Sequence, residues 1–229
     1  MEKKIIVVTG GSSGLGLEIV RDAHRRGFFV CNLSQSEEKM AHVRAEFPDY
    51  FLGIAGDLTN PVFVQNAVSR IAQEGHIWAL VNCAERAVFK APADYTSEDL
   101  DLSLQGLRSM ILTTTEVLKV SEEQDVRVVN ILSSAARAGK PKEALYCSAK
   151  WGERGYTEAL KAAYAGTSVK VYAVYPSGMN TALWDSSRDY VSVEKASTFM
   201  DPAAVASLIL DTVAEHDNLY ASELVIERR

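Results

Sequence analysis

Cysteine is scarce: Cys31, Cys83 and Cys147 are the only three in 229 residues, far apart and odd in number. They build no disulfide framework and no CxxC metal site, so no metal is expected, and free thiols suit the reducing cytoplasm. No apolar run approaches the roughly 20 residues that cross a bilayer, and the run after Met1-Glu2-Lys3-Lys4 is too short for a secretory signal. A membrane role is therefore not expected. Basic charge is in deficit, with 24 Lys and Arg against 30 Asp and Glu and a net charge of −6, which leaves no footprint for nucleic acid. There is no linker, internal repeat or low-complexity tract, so one domain over 1–229 is expected. What is plentiful is apolar side chain, 47% of the residues, enough for a packed core without disulfides or metals.

Short apolar runs alternate with longer amphipathic ones. Strands are expected at 4–9, 28–33, 51–55, 77–82, 126–132, 169–175 and 222–227, and helices near 15–26, 36–47, 60–74, 97–120, 144–165 and 202–215. Asn60-Pro61 and Asp201-Pro202 read as an N-cap followed by a first-turn proline. Unbroken β-α alternation, with strands apolar on both faces, implies a parallel sheet covered on both sides. Residues 177–200, after the sixth strand, are too long for an ordinary connection and read as a substrate lid. The carboxyl end follows the last strand closely, so no further substrate domain is expected.

Residues 5–20, IIVVTGGSSGLGLEIV, can be parsed in two ways. Gly10-Gly11-Ser12-Ser13-Gly14 spells a nucleophile elbow with Ser12 as nucleophile, but an elbow follows a mid-sheet strand and needs a downstream acid and His. His216 is in the right order, yet it belongs to a helix end and loop tip. The alternative is a dinucleotide cradle, in which Gly10 makes the tight turn and Gly14 and Gly16 let backbone approach phosphates. The helix from Leu15 then aims its unpaired N–H groups at a pyrophosphate. No Gly-Lys-Ser/Thr closes the motif, which excludes an ATP-type P-loop. The cradle is the preferred parse.

Tyr146 and Lys150 lie four apart on one helical face. A phenol of pKa near 10 becomes a base at neutral pH only if its anion is favoured by about 4 kcal/mol. An adjacent ammonium and the positive ring of a bound cofactor are the evident sources. Upstream, VVNILSS ends a strand in Ser133 and Ser134. Thr9-Gly10-Gly11-Ser12-Ser13-Gly14-Leu15-Gly16, Asp57-Leu58, Ser133 with Asn130 and Gly139 at fixed spacing, Tyr146 and Lys150, and Pro176-Ser177-Gly178-Met179-Asn180-Thr181 follow in order. On these motifs the sequence resembles the short-chain dehydrogenase/reductase family over essentially its whole length. The resemblance implies a Rossmann-type, doubly wound α/β domain with a seven-stranded parallel sheet.

It also implies an enzyme that moves a hydride between a nicotinamide cofactor and a ketone, aldehyde or secondary alcohol. Tyr146 is then the acid/base, Ser133 (Ser134 is the runner-up) binds the substrate oxygen, and Lys150 holds the ribose and lowers the tyrosine pKa. Implied cofactor contacts are Gly10, Ser12, Ser13, Gly14, Leu15, Gly16, Ser34, Asp57, Leu58, Asn82, Ala84, Tyr146, Lys150, Pro176, Gly178, Met179 and Thr181. The family's acid after the second strand, which holds a ribose 2′-hydroxyl, is replaced by Ser34, and Glu37 and Glu38 come too late. NADP is therefore favoured, with NAD possible, although Gln35 is not the arginine that would grip a 2′-phosphate.

Three positions depart from the family pattern. Asn-Asn-Ala-Gly reads Asn82-Cys83-Ala84-Glu85, with Glu85 either a carboxylate at the rim of the site or, as preferred, a solvated loop acid. The mid-helix asparagine of the family's proton relay falls on Gly106, or on Ser103 in a shifted alignment, and no asparagine occurs between 83 and 129. Cys147 reads as a packing residue. Met179, Leu183, Trp184 and Tyr190 suggest an apolar or aromatic small-molecule substrate, and equally would pack the lid down. The resemblance implies a homodimer or homotetramer through helices 97–120 and 144–165. Gly106 and Glu85 also motivate a second reading, a catalytically weak dinucleotide-binding regulator.

Overall fold

The computed structural model describes residues 3–121, 124–187, 190–214 and 219–229. Among them, seven strands form one sheet: β1 Lys4–Thr9, β2 Phe29–Ser34, β3 Phe51–Ala55, β4 His76–Asn82, β5 Arg127–Ile131, β6 Lys170–Pro176 and β7 Glu223–Ile226. All pairings are parallel and the spatial order is β3-β2-β1-β4-β5-β6-β7. The helices are α1 Gly14–Arg25, α2 Glu37–Glu46, α3 Pro61–Ala72, α4 Ser97–Ser103, α5 Gln105–Ser121, α6 Ala144–Ala163, α7 Val193–Ser197 and α8 Pro202–Val213.

The strands lack polar alternation because helices cover both faces. Successive side chains point to opposite sides, so Ile6 and Val8 pack with Ile19 and Val20 of α1 and Ile209 of α8. Ile5 and Val7 pack on the other face with Val64 and Val68 of α3 and Val117 of α5. The expected caps form: Asn60 accepts from the Val62 and Phe63 N–H groups, and Asp201 accepts from the Ala203 N–H. The single helix expected over 97–120 is divided at Leu104, with Gly106 in the first turn of α5. The expected helix end at 215, and His216, lie outside the described residues.

From β1 the chain winds outward to β3, then crosses to β4 on the other side of β1. At that reversal the loops after β1 and β4 diverge and open a crevice above the strands' carboxyl ends. Its floor is fastened by Thr9, whose Oγ1 accepts from the Cys83 and Ala84 N–H groups at 3.0 and 3.1 Å. Gly10 follows with φ +72°, and a Cβ there would stand 2.7 Å from Ala84 Cα. Only glycine satisfies both the left-handed turn and the close approach.

Candidate active site

The crevice is a cavity of about 530 Å³. The Gly10 turn and the first turn of α1, with Ser12, Ser13, Gly14, Leu15 and Gly16, form its middle. Ser13, at the N-cap, makes no side-chain cap bond, so the first-turn N–H groups of α1 face the cavity as donors for an anion. Beneath the turn, Asn32 accepts from the Gly11 N–H at 3.0 Å, a buried support that sequence reading missed on an otherwise apolar strand. This cradle fits the pyrophosphate of a dinucleotide.

One end of the cavity holds Ser34, Gln35, Ser36, Lys39, Asp57, Leu58 and Arg86. Ser34 is buried and donates to Asn32 Oδ1 at 2.9 Å. Glu37 begins α2 and pairs with Arg44. Asp57 accepts from the Thr59 N–H and hydroxyl at 2.8 and 2.7 Å, and that backbone bond first of all holds its pKa below the ordinary value. Arg86 donates to Gln35 Oε1. Sequence reading passed over both Lys39 and Arg86, because neither belongs to a motif and the fold brings Arg86 here from 51 residues away.

The other end holds Tyr146, Lys150, Met179, Thr181, Ala182 and Leu183. Ser133 caps a 3-10 turn just after β5, and its hydroxyl bonds the Tyr146 phenol and favours the phenolate. Ser134 instead accepts from Lys140 Nζ at 2.9 Å, so Ser133 is the serine that meets the tyrosine. Tyr146 is 8% exposed and meets Phe89 edge to face at 5.5 Å. The Lys150 ammonium lies 5.8 Å from the Tyr146 ring centre.

Three of the remaining expected contacts, Asn82, Pro176 and Gly178, fall outside the cavity lining. Asn82 turns into the interior, donating to Thr114 and Asn130 at 2.9 and 2.8 Å and accepting from Thr113 at 2.8 Å. Pro176 ends β6 and Gly178 lies against the Phe199 ring, neither lining the cavity. Ala84 and Met179 line it directly. In the 177–200 segment, Trp184 stacks on Phe89 at 5.0 Å and donates to the Met179 carbonyl at 2.9 Å. Tyr190 donates to Glu143 at 2.9 Å. These two aromatics pack the segment down, while Leu183 and Met179 face the cavity. Residues 188 and 189 lie outside the described residues.

One expectation is corrected. Glu85 is not a solvated acid: its carboxylate forms an ion pair with Lys150, and the side chain is 12% exposed. Lys150 also donates to Glu153 at 2.7 Å and to the Ile131 carbonyl at 3.2 Å. Lys150 lowers the phenol pKa in the expected direction, without outweighing burial. Burial pushes the Tyr146 pKa well above its ordinary value; Lys150 opposes this, and the Glu85 and Glu153 charges reinforce it. Burial raises Glu153 to about 8, against the pull of Lys150 and aided by the nearby Glu85 charge.

The sequence pattern of the family described as short chain dehydrogenase matches residues 4–191. A putative ketoacyl reductase of Streptomyces coelicolor is 30% identical over 199 residues, 83% of this chain and 76% of that protein. A short-chain dehydrogenase/reductase structure from Vibrio parahaemolyticus is 29% identical with a TM-score of 0.86, covering 98% of this chain and 100% of the other. A variant of actinorhodin polyketide ketoreductase, solved with NADPH, is 26% identical with a TM-score of 0.88, covering 98% and 95%.

Proposed function

The chain belongs to the short-chain dehydrogenase/reductase family, and from that premise we propose an NADP(H)-dependent enzyme that interconverts a carbonyl compound and its alcohol, working chiefly as a reductase. Tyr146 and Lys150 at one end of the crevice, with Ser133 bonded to the phenol although it does not itself line the cavity, carry this reading. The nicotinamide, when bound, supplies the hydride. Tyr146 gives its phenolic proton to the substrate oxygen, Ser133 donates a hydrogen bond to that oxygen as charge develops, and Lys150 holds the ribose side and favours the phenolate. Thr181 and Met179 hold the carboxamide end.

Preference for NADP over NAD is supported by Lys39 and Arg86 at the far end of the cavity, with no carboxylate on Ser34, and by the NADPH in the ketoreductase relative. The chain acts as one domain, with 177–200 as its lid, and the Leu183 and Met179 surfaces select an apolar or aromatic substrate. We place it in the cytoplasm as a homodimer or homotetramer. No helix among the described residues is long and apolar enough to cross a membrane. NADPH and NADH consumption with a panel of aromatic and aliphatic ketones and aldehydes tests the reading. Turnover with NADPH preferred is expected. Tight nucleotide binding with no turnover of any compound would instead support a regulator.

A further inference from the structure

Glu153, three residues beyond Lys150 on α6, already brings one carboxyl group to the buried ammonium at 2.7 Å. Glu85 brings a second carboxylate to the same nitrogen from the loop after β4. Two local costs accompany it. A second carboxylate is desolvated beside the first, and α5 carries Gly106 in its first turn, where glycine is a poor helix former. The two are coupled sterically, because a Cβ on Gly106 would stand 2.6 Å from Glu85 Oε1. That oxygen is held from its own loop by the Arg86 N–H at 2.8 Å. The two acids differ in access: Glu85 and Gly106 line the cavity beside Tyr146 and Lys150, whereas Glu153 is fully buried and does not.

We propose that Glu85 is the proton-exchange group of this site, a positioning residue that acts through Lys150 to restore the proton Tyr146 gives to the substrate, with Gly106 the vacancy that admits it. The proposal rests on the reading of Tyr146 as the acid. In the reductive direction the carbonyl carbon gains a hydride and its oxygen forms an O–H bond as the Tyr146 O–H bond breaks. The phenolate regains its proton from a Lys150 N–H, directly or across an intervening hydroxyl. The amine regains its own from a carboxyl O–H of Glu85, the ion-pair partner it meets at the cavity, and Glu85 takes a replacement from water in the cavity. One solvent proton is consumed per alcohol formed. The titratable groups facing this cluster among the described residues are Glu85 and Cys83 from the loop after β4, and Tyr146, Lys150 and Glu153 from α6.

Two measurements test it. In the cofactor-free protein labelled with carbon-13 at glutamate carboxyls, the Glu153 signal should titrate well above the ordinary carboxylate range. In Glu85→Gln the Glu153 signal should titrate at lower pH. A Glu153 midpoint that Glu85→Gln leaves unchanged would overturn the proposal, even if no substrate were known. In steady-state NADPH oxidation with the best carbonyl of the panel, Glu85→Gln should lower kcat roughly tenfold to a hundredfold. KM values should stay within about threefold, and the alkaline inflection of kcat should move to lower pH.

Gly106→Ala, which adds no polar group, should mimic this loss by displacing the carboxylate. It should cost nothing further in a Glu85→Gly background. Formate should restore part of the rate to Glu85→Gly. Parent-like kcat and pH profile in Glu85→Gln would sink the idea. So would a kcat loss with no change in pH profile and no formate rescue, which marks a structural role alone.

Discussion

At the residue scale, burial decides the ionisation of the site more than any single partner does. Tyr146 and Glu153 both bind their protons more tightly than in water, because each would otherwise carry a charge without solvent around it. For Glu153 the consequence for stability has a definite sign. Its folded pKa, about 8, exceeds the ordinary 4.5, so between those values the folded chain holds a proton that the unfolded chain has released. The stabilisation is complete below the lower value and is lost as pH rises through the upper one. Thermal unfolding of the cofactor-free protein should therefore show a midpoint that falls from pH 5 to pH 8, with a shallower slope in Glu153→Gln. Equal slopes in the two proteins would contradict the assignment.

Much of this residue-level chemistry was legible: Ser133, Tyr146 and Lys150 sit at motif spacings, and the structure brings them together. Glu153 carried a signal that was not used, since it lies three residues from Lys150 on one helical face. Glu85 was marked by its departure from the family glycine, but only the fold sets it over Gly106. Asn32 was hidden for a related reason: a buried polar residue on a strand reads as an interruption until its partner, the Gly11 N–H, is placed above it.

At the scale of elements, strand positions followed the sequence closely, since short Val- and Ile-rich runs between turn residues have few alternatives. Side-chain direction at strand ends was harder to read. Asn82 was expected to face the cofactor, yet it ties β4 to α5 and β5 through Thr113, Thr114 and Asn130. The rest of that link runs from Asn130 to Thr157 of α6 at 2.9 Å. Nothing in the local pattern distinguishes inward from crevice-facing at this position; the hydroxyls that receive it come from 31 and 32 residues away. Asn82→Ala removes three buried hydrogen bonds and should destabilise the protein by about 2 kcal/mol in urea unfolding. A loss below about 0.5 kcal/mol would show that the network contributes little. The division of the 97–120 helix at Leu104 likewise lacked a sequence signal, as no proline or cap motif falls there. Gly106 two residues on is the one weak helix former nearby.

At the scale of the whole molecule, the parallel sheet, its reversal between β1 and β4 and the crevice above it put the cradle, Glu85 and the Tyr146 helix around one cavity. The outer faces of α5 and α6 leave Ile111 and Trp151 exposed, Trp151 by 48%. Apolar area of that kind suits the proposed contact between copies. Trp151→Glu should convert the oligomer to a smaller species in sedimentation velocity while the folded monomer persists. An unchanged sedimentation coefficient would place the contact elsewhere.

The central claim is that a proton passes between Tyr146 and the substrate oxygen as the hydride moves, and it is tested most directly by Tyr146→Phe. With NADPH and the best carbonyl substrate, kcat should fall about a thousandfold, while NADPH affinity measured by fluorescence titration stays close to that of the parent. Parent-like turnover in the phenylalanine variant would contradict it.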